Sequence, residues 1–279
     1  MTGESSKSAV AYRCPMPGIF IKRLLACAAL AIGLGAIAGC GTGPGDDGGA
    51  AKAGISGNLS ISAAASLQGA FTEMAAAFED AHPQVSVSIN FGASSTLARQ
   101  IIDGAPVDVF ASADQMNMTK VADAELLSGA PTIFATNFLE IIVRKGNPLD
   151  IDSLADLAKT GLVYVTCAPE VPIGRYAAES LLEAGITVNP ASFEPDVKGI
   201  VTKVSSGEAD AGIVYRTDVL AAGETATGVA IPDQFDVRAT YPQAVITGSP
   251  NEATAIAWIS FVAGAEGQAI LRAYGFGQP

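Results

Sequence analysis

Ser94 lies in Phe91-Gly92-Ala93-Ser94-Ser95-Thr96-Leu97, where a strand pattern gives way to a helix pattern and little bulk stands in the way. A hydroxyl and several unpaired amides at such a point can hold an anion, because the first amides of a helix have no partner within it and its dipole favours negative charge. The residues before it, Val85 to Phe91, alternate apolar and polar as a half-buried strand does, and Leu97, Ile101 and Ile102 resume at helical spacing. About thirty residues upstream the device recurs: Leu59 to Ala63 reads as a strand, and Ala64-Ala65-Ser66-Leu67 turns into a helix with Leu67, Phe71, Met74 and Phe78 on one face. Both serines are expected to be helix N-caps. A serine there can cap and do nothing more, but successive strands of a parallel sheet present their following turns at one edge, so two such turns would face one crevice.

Further along, Pro172-Ile173-Gly174 and Asp196-Val197-Lys198 each open a helix pattern, so Ile173 and Val197 carry free amides of the same kind. Tyr215 ends the strand pattern Ala211 to Tyr215, where a phenol serves either a core or a site. Other reactive types are read as structural. Asp114 is placed to cap the helix from Gln115 to about Ala124, and Asp108 stands at a strand edge; neither has a partner in sequence for acid–base work. The single histidine, His82, has no second metal ligand near it, and Cys167 lacks a base and fits a small buried hydrophobe. Gly43 to Gly48 matches the spacing of a dinucleotide loop but has no strand before it and carries two carboxylates, so that reading is rejected.

The chain of 279 residues is long enough for a sizeable core. Lys22-Arg23 followed by the apolar run Leu24 to Ala36 reads as a signal peptide, and Ile37-Ala38-Gly39-Cys40 resembles the bacterial lipobox, in which cleavage precedes the cysteine and its thiol carries the lipid. Residues 1–39 are therefore expected to be removed, with Met1 or Met16 as the start, and residues 40–57 to be a lipidated Cys40 and a flexible tether. Losing Lys7, Arg13, Lys22 and Arg23 together with Glu4 takes the net charge from −12 to −15. Nucleic acid and anionic surfaces are excluded as partners of such a body, so an anionic ligand must be held locally, by amides and hydroxyls in a closed crevice. With Cys14 and Cys27 gone and Cys40 lipidated, Cys167 has no partner for an internal disulfide.

The expected fold is α/β in two lobes, residues 58–135 with 240–279 and residues 136–239. A long strand from Phe134 to Arg144 and a return near Arg238 to Ile246 form the crossing, a hinge with the ligand in the cleft. The second lobe is expected to contain a helix around Ile151–Lys159, a strand Leu162–Thr166, and helices from Gly174 to Ala184 and from about Asp196 to Ser205. Trp258 and Phe261, on the C-terminal helix pattern, read as core.

Five blocks, Ala63-Ala64-Ala65-Ser66-Leu67, Ala93-Ser94-Ser95-Thr96-Leu97-Ala98-Arg99-Gln100-Ile101, Gly104-Ala105-Pro106-Val107-Asp108, Val171-Pro172-Ile173-Gly174-Arg175-Tyr176-Ala177 and Gly212-Ile213-Val214-Tyr215-Arg216-Thr217-Asp218, together resemble the substrate-binding proteins of bacterial molybdate ABC transporters. The resemblance runs from about Leu59 to Phe276. It implies a type II periplasmic-binding-protein fold and an oxyanion held by Ser66 and Ser94 through hydroxyl and amide, by the amides of Ile173 and Val197, and by the Tyr215 hydroxyl. Ile173 replaces a smaller residue common in that family, which would narrow the crevice without removing the amide. The implied protein is no enzyme, needs no cofactor and binds no metal through its side chains. It is a monomer, anchored by lipid to the outer face of the cell membrane, that takes molybdate or tungstate to a permease with a cytoplasmic ATPase.

Two alternatives are carried forward. A binding lipoprotein of the same fold for another small anion such as sulfate would be favoured by an arginine in the crevice, Arg99 and Arg175 being nearest in sequence. A serine hydrolase is disfavoured because Gly92-Ala93-Ser94-Ser95-Thr96 lacks the second glycine of a nucleophile elbow.

Overall fold

The structure is a computed structural model that describes residues 55–279; the expected signal peptide, Cys40 and the tether through residue 54 lie outside the described residues. In chain order, β1 (Gly57–Ala64) passes through a 3-10 turn (Ala65–Leu67) into α1 (Gln68–Ala81), followed by β2 (Val85–Gly92), α2 (Ser94–Ile102), β3 (Val109–Ala111), α3 (Gln115–Asp123) and β4 (Thr132–Asn137). A second series follows: β5 (Leu139–Arg144), β6 (Tyr164–Cys167), α4 (Pro172–Glu183), β7 (Ser192–Glu194), α5 (Val197–Ser206), β8 (Ala211–Tyr215), α6 (Arg216–Ala222) and β9 (Ala226–Ala230). The chain then returns through β10 (Ala239–Val245) and ends in α7 (Glu252–Ala263) and α8 (Ala265–Ala273).

These strands form two five-stranded sheets, ordered β2-β1-β3-β10-β4 and β7-β6-β8-β5-β9. Each is built alike. Three parallel strands carry the βα turns, and an antiparallel strand, β10 in the first sheet and β5 in the second, lies beside them. That antiparallel strand is the first one the chain enters after crossing from the other sheet. The long strand expected from Phe134 to Arg144 is instead two strands, separated at Phe138. β4 pairs with β10 in the first sheet and β5 with β8 and β9 in the second, so the crossing falls a little past the expected boundary at residue 135. At the crossing, the Leu139 amide donates to Asp236 Oδ1 at 2.9 Å, tying the outgoing segment to the one that leads back into β10.

Alternation along the strands sends side chains to both faces of the first sheet. Ile61 and Val109 pack with Phe71, Phe78 and Trp258 beneath α1 and α7, while Phe110 and Ala244 meet Leu97, Ile101, Met118 and Val121 of α2 and α3 on the opposite face. Trp258 is fully buried, with Phe71 and Phe78 edge-on at ring distances of 5.6 and 5.4 Å, and so belongs to the core as its helical spacing suggests. In the second sheet the whole of β8 is buried against α4 and α5. The expected helix at Ile151–Lys159 is only a 3-10 turn, Leu154–Ala158, started by a Ser153–Asp156 capping box.

Candidate functional site

The ends of the parallel strands from both sheets converge on one small cavity. Ser66, Ser94, Ile173, Val197 and Tyr215 all line it, together with alanines, a glycine, Pro172 and Asp196. Its volume, about 20 Å³, is too small for a nucleotide, sugar or peptide.

Neither serine is an N-cap as expected. The cap positions are Ala64 and Ala93, both extended and without side-chain caps, so each helical segment begins before or at its serine. The hydroxyls are bound elsewhere. Ser94 Oγ accepts the Ala113 amide at 2.9 Å, and Ser66 Oγ lies 3.0 Å from the Tyr241 hydroxyl. In both cases the hydroxyl is turned to a group from elsewhere in the chain, the amide that follows β3 and the ring hydroxyl from within β10. Ser94 thereby becomes the first residue of α2, with its own amide free.

On the second sheet's side, Pro172 opens α4 and Ile173 follows it. Gly174 lets this turn settle onto the end of β6: a Cβ there would collide with the backbone carbonyl oxygens of Cys167 and Ala168. At α5 the Asp196 carboxylate is the N-cap, accepting from Lys198 N at 2.9 Å and Gly199 N at 3.2 Å, which leaves the Val197 amide over. Neither the Ile173 nor the Val197 amide donates to a protein acceptor among the described residues. Asp196 is the one carboxylate in the lining, and its Oδ1 is spent on those two helix amides.

Tyr215 closes β8 with its ring buried and its hydroxyl without a hydrogen-bond partner among the described residues. Burial above all, aided by Tyr241 and Tyr176, raises its pKa well above that of an ordinary phenol, so the hydroxyl stays a donor.

Among the described residues, no basic side chain lines the cavity. Arg99 is exposed and faces Asp103 at 3.7 Å. Arg175 points across to the first sheet's side, where its Nη1 meets the buried Asp114 Oδ2 at 2.8 Å; beside it the Tyr176 hydroxyl donates to Ala113 O at 3.4 Å. Lys198 is held by Asp218 at 2.8 Å. Asp114 does cap α3, accepting from Asn117 N at 2.8 Å, and Asp108 accepts from Ser60 N and Ser249 Oγ, so both carboxylates are structural as read. His82 meets Phe78 edge-on, and burial pushes the Cys167 thiol up, out of nucleophilic range.

Comparison with known proteins places this arrangement. The model of the bacterial extracellular solute-binding proteins matches residues 59–277. The chain belongs to that family. Among relatives of this solute-binding protein is the molybdate-binding protein ModA of Mycobacterium tuberculosis, 42% identical over 222 residues that cover 80% of this chain and 85% of the relative. Among solved structures, the sulfate-binding protein SubI of M. tuberculosis superposes with a TM-score of 0.71 at 20% identity, covering 78% of this chain and 86% of that one. The periplasmic molybdate-binding protein of Azotobacter vinelandii gives 0.69 at 22% identity, covering 79% and 99%. At those identities the structures establish the shared two-sheet fold, and the fold is common to binders of different anions.

The residues that sequence reasoning missed are Tyr241 and Asn137, which lie behind Ser66: Asn137 Nδ2 donates to the Tyr241 hydroxyl at 3.3 Å and to Thr217 Oγ1 at 2.9 Å. The available signal was a tyrosine within a strand destined for the core, since a buried phenol needs a polar partner.

Proposed function

We propose that this solute-binding protein captures molybdate, or tungstate, in the cavity between its two sheets and delivers it to an ABC permease driven by a cytoplasmic ATPase. The observation that carries the reading is the Tyr215 hydroxyl, buried at the cavity without a protein partner and held neutral by its surroundings. With the amides of Ile173 and Val197, the hydroxyls and amides of Ser66 and Ser94, and no cationic side chain among the described lining residues, the cavity's donors are all neutral, and its carboxylate, Asp196, is engaged as the N-cap of α5. Such a set neutralises a dianion by dispersed dipoles. Its hydroxyls and amides can pair every oxygen of a fully deprotonated tetrahedral anion, whereas they leave the proton of hydrogen phosphate to compete for Asp196, whose Oδ1 already caps α5.

The small cavity, ringed by donors from both sheets, suits a compact tetrahedral anion. The name of the 42% identical relative favours molybdate over sulfate, and the absence of an arginine from the lining removes the feature that would have favoured another anion. Residues 58–137 with 239–279 and residues 139–238 act as lobes that close around the ligand, the Arg175–Asp114 pair joining them in the closed form. The chain works without catalysis, as a monomer on the outer face of the cell membrane, with Cys40 carrying the lipid anchor.

Calorimetric titration of Tyr215→Phe tests the reading. Removing one hydrogen bond to a charged ligand should weaken molybdate binding by about 1.5–3 kcal/mol, roughly ten- to a hundredfold. Wild-type affinity in that variant would remove Tyr215 from the site.

A further inference from the structure

Behind Ser66 lies a chain of buried hydrogen bonds whose direction is fixed at one end. Asn137 closes β4 at the crossing and is fully buried. Its Oδ1 accepts the Phe138 amide at 3.0 Å; a backbone N–H only donates, so this contact settles which end of the carboxamide is oxygen. The Nδ2 therefore faces inward, donating to Thr217 Oγ1 and to the Tyr241 hydroxyl. Tyr241 has a single proton. With Asn137 donating to its oxygen, the remaining contact, Ser66 Oγ at 3.0 Å, receives that proton. Ser66 then accepts from Tyr241, and its own proton is left for the cavity it lines. Ser94 reaches the same state by a shorter route, since Ala113 N–H donates to its oxygen.

We propose that Asn137 and Tyr241 are specificity-determining positioning residues, which occupy one acceptor position of Ser66 Oγ and so turn its proton toward the cavity, biasing the site toward fully deprotonated oxyanions over those that carry a proton. Neither residue is in the cavity lining. They act by filling one of the two lone pairs of the serine oxygen, which leaves Ser66 fewer ways to accept the proton of a ligand such as hydrogen phosphate. The inference rests on the oxyanion reading given above.

The test is a double-mutant cycle on the whole chain, purified in detergent, with Tyr241→Phe, Ser66→Ala and the pair, titrated with molybdate and with inorganic phosphate at pH 8. Phenylalanine keeps the ring that packs against Phe134 and Phe276 and removes only the hydroxyl. Tyr241→Phe is expected to lower molybdate affinity about tenfold and to narrow the molybdate-to-phosphate ratio, because the freed lone pair of Ser66 can take the phosphate proton. In the Ser66→Ala background the same change should cost nothing further. A purely structural effect would weaken both anions together, so an unchanged ratio, or losses that add in full, overturns the proposal. Should Tyr241→Phe not fold, Asn137→Ser is read in the same way, with the same two outcomes. A wild-type chain that binds neither molybdate nor tungstate overturns the oxyanion reading and this one with it; a wild type that binds molybdate beside a Tyr241→Phe chain of unaltered selectivity overturns this one alone.

Discussion

Tyr215 and Tyr241 stand 5.9 Å apart between the sheets, and Tyr164 and Tyr176 are also buried, so several phenols have been taken out of water and must remain neutral there. Burial raises Tyr164 and Tyr176 to about 12 and Tyr215 and Tyr241 above their ordinary value. In the unfolded chain these groups ionise near pH 10, so the stability they contribute is whole below that pH and is lost as pH rises through about 12. Each should cost roughly 1.4 kcal/mol per pH unit in that window. Urea unfolding at pH 8 and at pH 11 is expected to show a drop of several kcal/mol, and equal stability at the two values would refute the burial argument. At this scale the sequence was informative wherever a residue ends an element: Ser66, Ser94, Ile173, Val197 and Tyr215 could all be picked out by position. It was silent on Tyr241 and Asn137, because their partners lie far along the chain, Ser66 being 175 residues from Tyr241, and no local pattern records such a contact.

At the scale of elements, the site depends on where helices begin. The reading of Ser66 and Ser94 as caps failed because capping rules weigh only local competitors for the hydroxyl, whereas Ala113 and Tyr241 arrive from other strands. The helix starts themselves were legible at α4 and α5, through Pro172 and through Asp196, whose cap is local and is present. The break at Phe138 was not, since Phe134 to Arg144 is apolar enough for one strand and only pairing with two different sheets divides it. The most exacting element contact is at Gly174, where α4 rests on the end of β6. Gly174→Ala should push the start of α4 away from the Cys167 and Ala168 carbonyls, moving the Ile173 amide off the cavity. Molybdate affinity is expected to fall at least tenfold, while the far-ultraviolet spectrum keeps its helix content; a variant that binds as the wild type does would show that the amide of Ile173 is not a ligand.

Over the whole molecule, charge and site are opposed. A chain of net charge −12 repels a dianion, and the described lining offers neutral dipoles in place of a compensating basic patch. Added salt screens that repulsion, with a Debye length of about 10 Å at 0.1 M. Association of molybdate should therefore be faster at 0.15 M sodium chloride than at 0.01 M, by a modest factor, whereas a site built on arginines would slow. Stopped-flow measurement of the tryptophan signal at the two salt concentrations separates the cases. The two-lobed α/β architecture was readable from the order of strand and helix patterns. What the sequence left out was that both sheets repeat one strand order around an antiparallel strand, because β10 and β5 reveal their partners only once the chain has crossed.

The central claim is that the cavity is a neutral donor cage for a fully deprotonated tetrahedral oxyanion of molybdate size. The most direct measurement is thermal unfolding of the purified chain with molybdate, tungstate, sulfate or phosphate in turn. A ligand that binds only the folded state, present at about a hundred times its dissociation constant, adds roughly 2.7 kcal/mol, about 5–10 °C for a domain of this size. Molybdate and tungstate should raise the midpoint by that amount and phosphate should leave it unchanged, with sulfate well below molybdate. A shift with sulfate that matches or exceeds the molybdate shift, or no shift with any of the four, would contradict the account.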